Sequence, residues 1–206
     1  MAGLFITLEG GEGSGKTTVA QMLKEALENE GYEVVLTREP GGVKISEQIR
    51  DIIADISNTD MDAKTEALLF AASRRQHLVE KVLPTLKRDG IVICDRFIDS
   101  SLVYQGIARN LGIKEVYEMN LFATENTLPD LTIFFDVKPE IGLARIKKNN
   151  RVVERLDLES LSFHQSVYEG YLKICEMYSK RIKKIDASLD QKAVYEQAYK
   201  LIKEKL

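Results

Sequence analysis

The run Gly10-Gly11-Glu12-Gly13-Ser14-Gly15-Lys16-Thr17 fits the spacing G-x-x-x-x-G-K-[ST], and that spacing carries a mechanism. Glycines let successive backbone N–H groups turn inward, where they can cradle phosphate oxygens, and a helix that starts behind the loop adds its positive N-terminus. Lys16 is then placed to reach the β- and γ-phosphates, and the Thr17 hydroxyl to hold Mg2+. The run reads as a nucleoside triphosphate site, which leaves open what is done with the triphosphate. A GTPase switch would require Asn-Lys-x-Asp and Asp-x-x-Gly, and neither occurs in the chain. A motor ATPase would usually be larger. A small kinase whose acceptor shares the cleft remains.

Cations follow the other apolar runs. Arg38-Glu39-Pro40-Gly41 closes Val34–Leu36, Asp95-Arg96 closes Ile91–Cys94, and a basic segment with Lys147, Lys148, Arg151 and Arg155 comes later. In an open parallel sheet ligands bind beyond the carboxyl ends of the strands, so these loops converge on one edge. Phosphoryl transfer between two polyanions needs such an arrangement, because positioning and charge neutralisation dominate a loose transition state. An acceptor phosphate is a nucleophile near neutral pH and needs no general base, which agrees with a chain holding only His77 and His164; both are read as structural. Arginine suits phosphate through its planar, two-pronged donor fork. Asp95 could help hold Mg2+ or its water shell, or bridge to a neighbouring cation. The 147–155 cations could equally be a solvated face.

The elements that must position these residues alternate along the chain. Leu4–Leu8, Val34–Leu36, Ile91–Cys94, Leu131–Val137 and, weakly, Lys183–Ala187 read as strands. Helical spacing runs from Val19 to Leu27, Ile45 to Ile53, Thr65 to Leu86 (with Pro84 as a kink or end), Ser101 to Ile107, Lys114 to Glu125, Pro139 to about Lys147, Leu156 to Arg181 and Lys192 to Lys203. Strands without polar alternation suit a parallel sheet covered on both faces. The chain has 206 residues, which suits one α/β domain. Its net charge of −3 argues against a dedicated nucleic-acid binder. Cys94 and Cys175 exclude a disulfide scaffold and are expected to pack as small apolar groups in a reducing compartment. No apolar run approaches the ~18 residues of a membrane span, and no signal-peptide pattern opens the chain, so a cytoplasmic location is expected.

Five motifs in order resemble bacterial thymidylate kinases over nearly the full length: Phe5–Gly10 into the phosphate loop, Thr37–Gly42, Leu69–Arg74, Asp95–Ser101 through Tyr104-Gln105-Gly106, and Pro129–Thr132. The resemblance implies a P-loop three-layer sandwich with a five-stranded parallel sheet in the order 2-3-1-4-5. It implies one nucleoside monophosphate kinase domain over residues 1–206, with a lid near 147–155, and a homodimer. The implied reaction is Mg2+-dependent transfer from ATP to dTMP. Its ATP-binding set is Gly10, Gly11, Glu12, Gly13, Ser14, Gly15, Lys16, Thr17 and Thr18, with metal ligands Thr17 and Asp95. Its dTMP set is Arg38, Glu39, Phe70, Arg74, Arg96, Ser101, Tyr104 and Gln105. Phe70 would stack on the thymine, where it would otherwise read as core, and Arg74, four residues on, would reach a base carbonyl. Ser101 and Gln105 are also four apart; Gln105, able to donate and accept, would read the N3 edge, with Ser101 adding a polar contact. Arg38 and Arg96 would clamp the acceptor phosphate, and Tyr104 would crowd the sugar's 2′ position. Glu12 would position the acceptor side. Some members carry an arginine next in the loop, where this chain has Gly13, so the chain resembles the type whose lid supplies it. The catalytic set is then Glu12, Lys16, Arg96 and Arg151, with Arg145 and Arg155 as second choices. Phe97 stands where tyrosine is common, keeping the ring without the hydroxyl.

Overall fold

Strand β1 (Leu4–Glu9) is buried along its whole length, as a strand covered on both faces must be. Its side chains alternate between two cores. Leu4, Ile6 and Leu8 join one, with residues of α1 (Lys16–Asn29) and α9 (Gln191–Lys203), while Phe5 joins the other. The second core is closed by α5 (Ile98–Ser101), α6 (Ile113–Thr124) and α8 (Leu161–Met177). The structure is a computed structural model that describes residues 3–148 and 155–206. The other strands are β2 (Val34–Arg38), β3 (Ile91–Asp95), β4 (Leu131–Asp136) and β5 (Ile182–Asp186). All pairings are parallel and the order is β2-β3-β1-β4-β5, as the resemblance implied. Register matters for the site: Asp95 lies beside Leu8 of β1 on one side and Arg38 of β2 on the other.

Helix α2 (Lys44–Ala54) packs on α3 (Ala63–His77), whose N-terminus is capped by the Asp62 carboxylate accepting from Lys64 and Thr65 N–H. The expected single α-helix to Leu86 is three consecutive helical segments, the middle one π-helical. A π-helical segment, Leu78–Val82, leads into α4 (Leu83–Lys87), where Pro84 occupies a first-turn position that needs no N–H partner. The expected helix from Ser101 is a second π-helical segment, Leu102–Ala108, continuing from α5. The helix expected from Leu156 to Arg181 is corrected at both ends. Arg155–Leu158 is a 3-10 turn, and α8 starts where the Ser160 hydroxyl accepts from Phe163 N–H and ends at Met177. Helix α7 (Pro139–Lys148) precedes it. Among the described residues no helix is long and apolar enough to cross a membrane.

Candidate active site

A cleft of about 350 Å³ opens at the carboxyl edge of β1, β2 and β3, where the strand order reverses. The phosphate loop from Glu12 to Thr18 forms one wall. Gly10 and Gly11 lie behind it and supply carbonyls to Lys16, whose Nζ donates to Gly10 O (3.0 Å), Gly11 O (2.9 Å) and Ser14 Oγ (3.1 Å). Burial, then the nearby Arg96 charge, lowers the Lys16 ammonium to about 8. Gly13 holds φ +66°, and a Cβ there would sit 2.1 Å from Gly142 O of α7, so only glycine fits between loop and helix.

Arg96 adopts φ +70°, unusual for a side-chain-bearing residue and held by its N–H donating to Leu8 O at 2.9 Å. Its guanidinium donates to Glu12 Oε1 (2.6 Å), Ser100 Oγ (3.2 Å) and Tyr171 OH (3.3 Å) and lies 5.1 Å from the Tyr104 ring centroid. Burial opposes its charge, but the Glu12 carboxylate raises it well above the arginine range. Tyr104 OH also donates to Glu12 Oε1, at 3.3 Å. The phosphate-loop acid and the β3 arginine are therefore one unit.

Helix α3 presents Phe70 and Arg74 to the same cleft. Phe70 is half-buried and belongs to neither core cluster. Arg74 is 1% exposed and held by Glu39 Oε2 (2.7 Å), Ser101 Oγ (3.1 Å), Phe97 O (2.9 Å) and Asn120 Oδ1. Those bonds occupy four of its five donors and leave one N–H for a ligand. Gln105 lines the cleft and donates from Nε2 to Glu66 Oε1 at 2.9 Å. Arg38 is anchored by two bonds to Glu47, at 2.9 and 3.0 Å, on an exposed rim. Glu39 also accepts from His77 Nδ1 at 2.8 Å, which fixes the ring tautomer with its hydrogen on Nδ1.

Glu39, His77 and Cys94 lie close enough to hold a metal ion. Both histidine nitrogens are already bonded, to Glu39 and Thr37, and Cys94, its thiol pushed far up by burial, donates to Arg96 O at 3.1 Å. The cluster is a structural knot. The better fit for a divalent cation is Thr17 and Asp95. The Thr17 hydroxyl donates to Asp95 Oδ2 at 2.9 Å, while the buried Oδ1 has no hydrogen-bond partner among the described residues. A hard oxygen pair with an unsatisfied lone pair suits Mg2+.

The basic segment departs from expectation. Arg155, read as part of an exposed lid, is 8% exposed and donates to Glu66 Oε2 (2.5 Å) and Ile53 O (2.9 Å); a buried guanidinium is kept by its carboxylate, and this one is turned away from solvent. Arg145 lines the cleft and donates to Ala187 O at 3.1 Å. Arg151 lies outside the described residues. Sequence reasoning missed Arg50, which lines the cleft from α2, and two buried acids, Glu9 and Glu66. The signal for Glu9 was an acid ending an otherwise apolar strand, and the signal for Glu66 was its place one turn before Phe70, on the same helix face.

A family profile described as Thymidylate kinase matches residues 8–198. A thymidylate kinase of Clostridium novyi (strain NT) is 56% identical over 202 residues, covering 98% of each chain. One from Bacillus velezensis is 58% identical over 207 residues, covering 100% of this chain and 98% of that one. The crystal structure of thymidylate kinase from Ehrlichia chaffeensis superposes with a TM-score of 0.79 at 32% identity, over 98% of this chain and 99% of that one. With a P-loop fold, an acceptor cleft on the same sheet edge and relatives of this identity over the full length, the chain belongs to the thymidylate kinase family of ATP-dependent nucleoside monophosphate kinases.

Proposed function

We propose that this cleft transfers the γ-phosphoryl group of ATP to dTMP, giving dTDP and ADP, with Mg2+ as the divalent ion. The observation that carries the reading is the 2.6 Å Arg96–Glu12 ion pair, which ties the phosphate loop to the acceptor side. The loop's backbone N–H groups from Glu12 to Thr18 bind the ATP phosphates, while Gly10 and Gly11, behind them, shape the loop and hold Lys16 until it exchanges their carbonyls for β- and γ-oxygens. Thr17 and Asp95 hold Mg2+, which supplies charge neutralisation when bound. Arg96 and Arg38, with Arg50 beside them, clamp the dTMP phosphate and aim its oxygen at the γ-phosphorus. Glu12 fixes the Arg96 fork. Phe70 stacks on thymine, Arg74 donates its remaining N–H to a base carbonyl, Gln105 reads N3, Ser101 and Glu39 hold Arg74, and Tyr104 crowds the 2′ position. Arg151, from the 147–155 lid, supplies positive charge to the transferring group.

The wider reading is a single kinase domain that works as a cytoplasmic homodimer without nucleic acid or membrane. Leu68 on α3 and Phe122 on α6 are 59% and 89% exposed, and these helices pack together, so their outer face supports a two-fold apolar contact. The test is ADP release from Mg-ATP with dTMP, dUMP, dCMP, UMP, AMP and thymidine. The expected result is strong preference for dTMP, abolished in Lys16→Ala and weakened in Arg96→Ala. Turnover of another acceptor and not of dTMP would overturn the base-recognition account. ATP binding without any turnover would overturn the kinase reading.

A further inference from the structure

Glu66, Phe70 and Arg74 fall four residues apart on α3 and so share one face, the face that looks into the acceptor cleft. Glu66 is 1% exposed. Oε1 accepts from Gln105 Nε2 at 2.9 Å and, more weakly, from Arg109 Nε at 3.4 Å; Oε2 accepts from Arg155 at 2.5 Å and from the Arg109 fork at 3.3 Å. Burial works against its charge, but bonds from Gln105 and Arg155 and the charge of Arg109 keep the carboxyl below the usual range. Glu66 is thus ionised and can only accept.

That fact fixes the Gln105 amide, whose two ends have opposite hydrogen-bonding character. With Nε2 committed to Glu66, the end left for a base is the acceptor Oε1. Among the described residues Oε1 receives no donor. Turning the amide over would set Oε1 against a carboxylate oxygen, two acceptors in contact inside a buried site. The consequence is chemical. N3 of thymine carries a hydrogen and needs an acceptor; N3 of cytosine is itself an acceptor and needs a donor. We propose that Glu66 is a specificity-determining positioning residue: by locking the Gln105 amide it presents an acceptor to N3 and so selects 2-oxo-4-oxopyrimidine nucleotides over cytosine nucleotides. This rests on the reading of the cleft as the dTMP site.

The experiment is the ratio of kcat/KM for dTMP to that for dCMP in wild type, Glu66→Gln and Arg155→Ala. A glutamine at 66 can donate or accept, so it releases the lock while keeping the shape. The expected result is that Glu66→Gln lowers the ratio about tenfold or more, part of it as a gain on dCMP. Arg155→Ala removes the other side of the same acid, so it lowers both substrates alike and keeps the ratio. A folded Glu66→Gln protein with the wild-type ratio overturns the proposal. So does an Arg155→Ala protein whose ratio falls as far, since the effect would then belong to the whole cluster. Wild type without a dTMP preference sinks the reading of the cleft, and the proposal with it. If Glu66→Gln does not fold, wild type decides. The Gln105 side-chain amide, assigned in a 15N spectrum by its loss in Gln105→Leu, should keep its carboxylate-bonded proton shift when dTMP is added; collapse of that shift means the amide has turned, and overturns the proposal.

Discussion

Glu9 ends β1 inside the protein, 1% exposed. Its carboxyl accepts from Phe97 N–H (2.8 Å), Ser100 N–H (3.3 Å), the Ser100 hydroxyl (2.6 Å) and Tyr171 OH (2.9 Å). Burial first, then the charge of Asp99, outweigh those bonds and the Arg96 charge and raise it from 4.5 to about 7. Between those values the folded protein holds a proton that the unfolded chain has released, so stability falls as pH rises through the window. At about 1.4 kcal/mol per pH unit, the window from 4.5 to about 7 costs about 3 kcal/mol. Glu9→Gln removes the titration while keeping the shape. Its amide –NH2 meets the Ser100 and Tyr171 hydroxyls, which can rotate to accept. The assay is urea unfolding of both proteins, without nucleotide, at pH 5, 6, 7 and 8. Titrating groups that do not feel the Glu9 charge are common to the pair and cancel in the difference. About 1 kcal/mol of this is already lost by pH 5, so the stability of Glu9→Gln minus that of wild type should rise by about 2–3 kcal/mol from pH 5 to 8 and level off above neutrality. A difference that stays flat from pH 5 to 8 would refute the argument that burial governs this carboxyl.

Lys16 titrates in a separate window: at about pH 8.5 most of the free lysine is neutral, so ATP binding should take up most of one proton. Calorimetry in two buffers of different ionisation enthalpy measures it, and the uptake should vanish at pH 6.5 and in Lys16→Met. Gly13→Ala combines φ +66° with a Cβ 2.1 Å from Gly142 O; it should cost about 2–4 kcal/mol of stability in urea unfolding and weaken ATP binding. Arg151→Ala should lower kcat about tenfold or more with little change in KM for dTMP, and an unchanged kcat removes Arg151 from the mechanism. If the proposed dimer uses this face, the wild-type chain should sediment as a dimer and Leu68→Glu with Phe122→Glu as a monomer at the same concentration; a monomeric wild-type chain refutes the dimer, and a dimeric double variant refutes this face.

The sheet was legible because its strands are short apolar runs closed by turn residues, and periodicity reports burial directly. The π-helical segments were not, since Leu78–Val82 and Leu102–Ala108 keep apolar spacing that an α-helix would also satisfy. The break at Ser160 was hidden by Leu158 and Leu161, whose spacing of three carries a helical stripe across the cap. At the site, motif spacing brought the phosphate loop, Arg38, Phe70, Arg74, Arg96 and Gln105 to one cleft. What it could not show was pairing. Arg155 reads as a solvated cation in a basic run, and only the fold reveals Glu66, 89 positions earlier in the chain, as its partner.

Pairing also decides which cations can move. Arg74, Arg96 and Arg38 each bond a carboxylate, of Glu39, Glu12 and Glu47, with side chains 1%, 17% and 45% exposed. Separating the first pair would leave a buried charge on each side, so Arg74 holds its place whether or not a ligand is present. The last pair sits in water, where an ion pair contributes little, so a phosphate dianion can take Arg38 from Glu47 at small cost. Arg96 lies between. Its partner Glu12 belongs to the phosphate loop, so any shift of the guanidinium toward an acceptor phosphate is felt by the loop that holds the donor. On the proposed reading of the cleft, the gradient in burial therefore separates a fixed end that would read the base from an adjustable end that would take the phosphate, with Arg96–Glu12 as the joint, and preorganisation is greatest where selection among bases would be made.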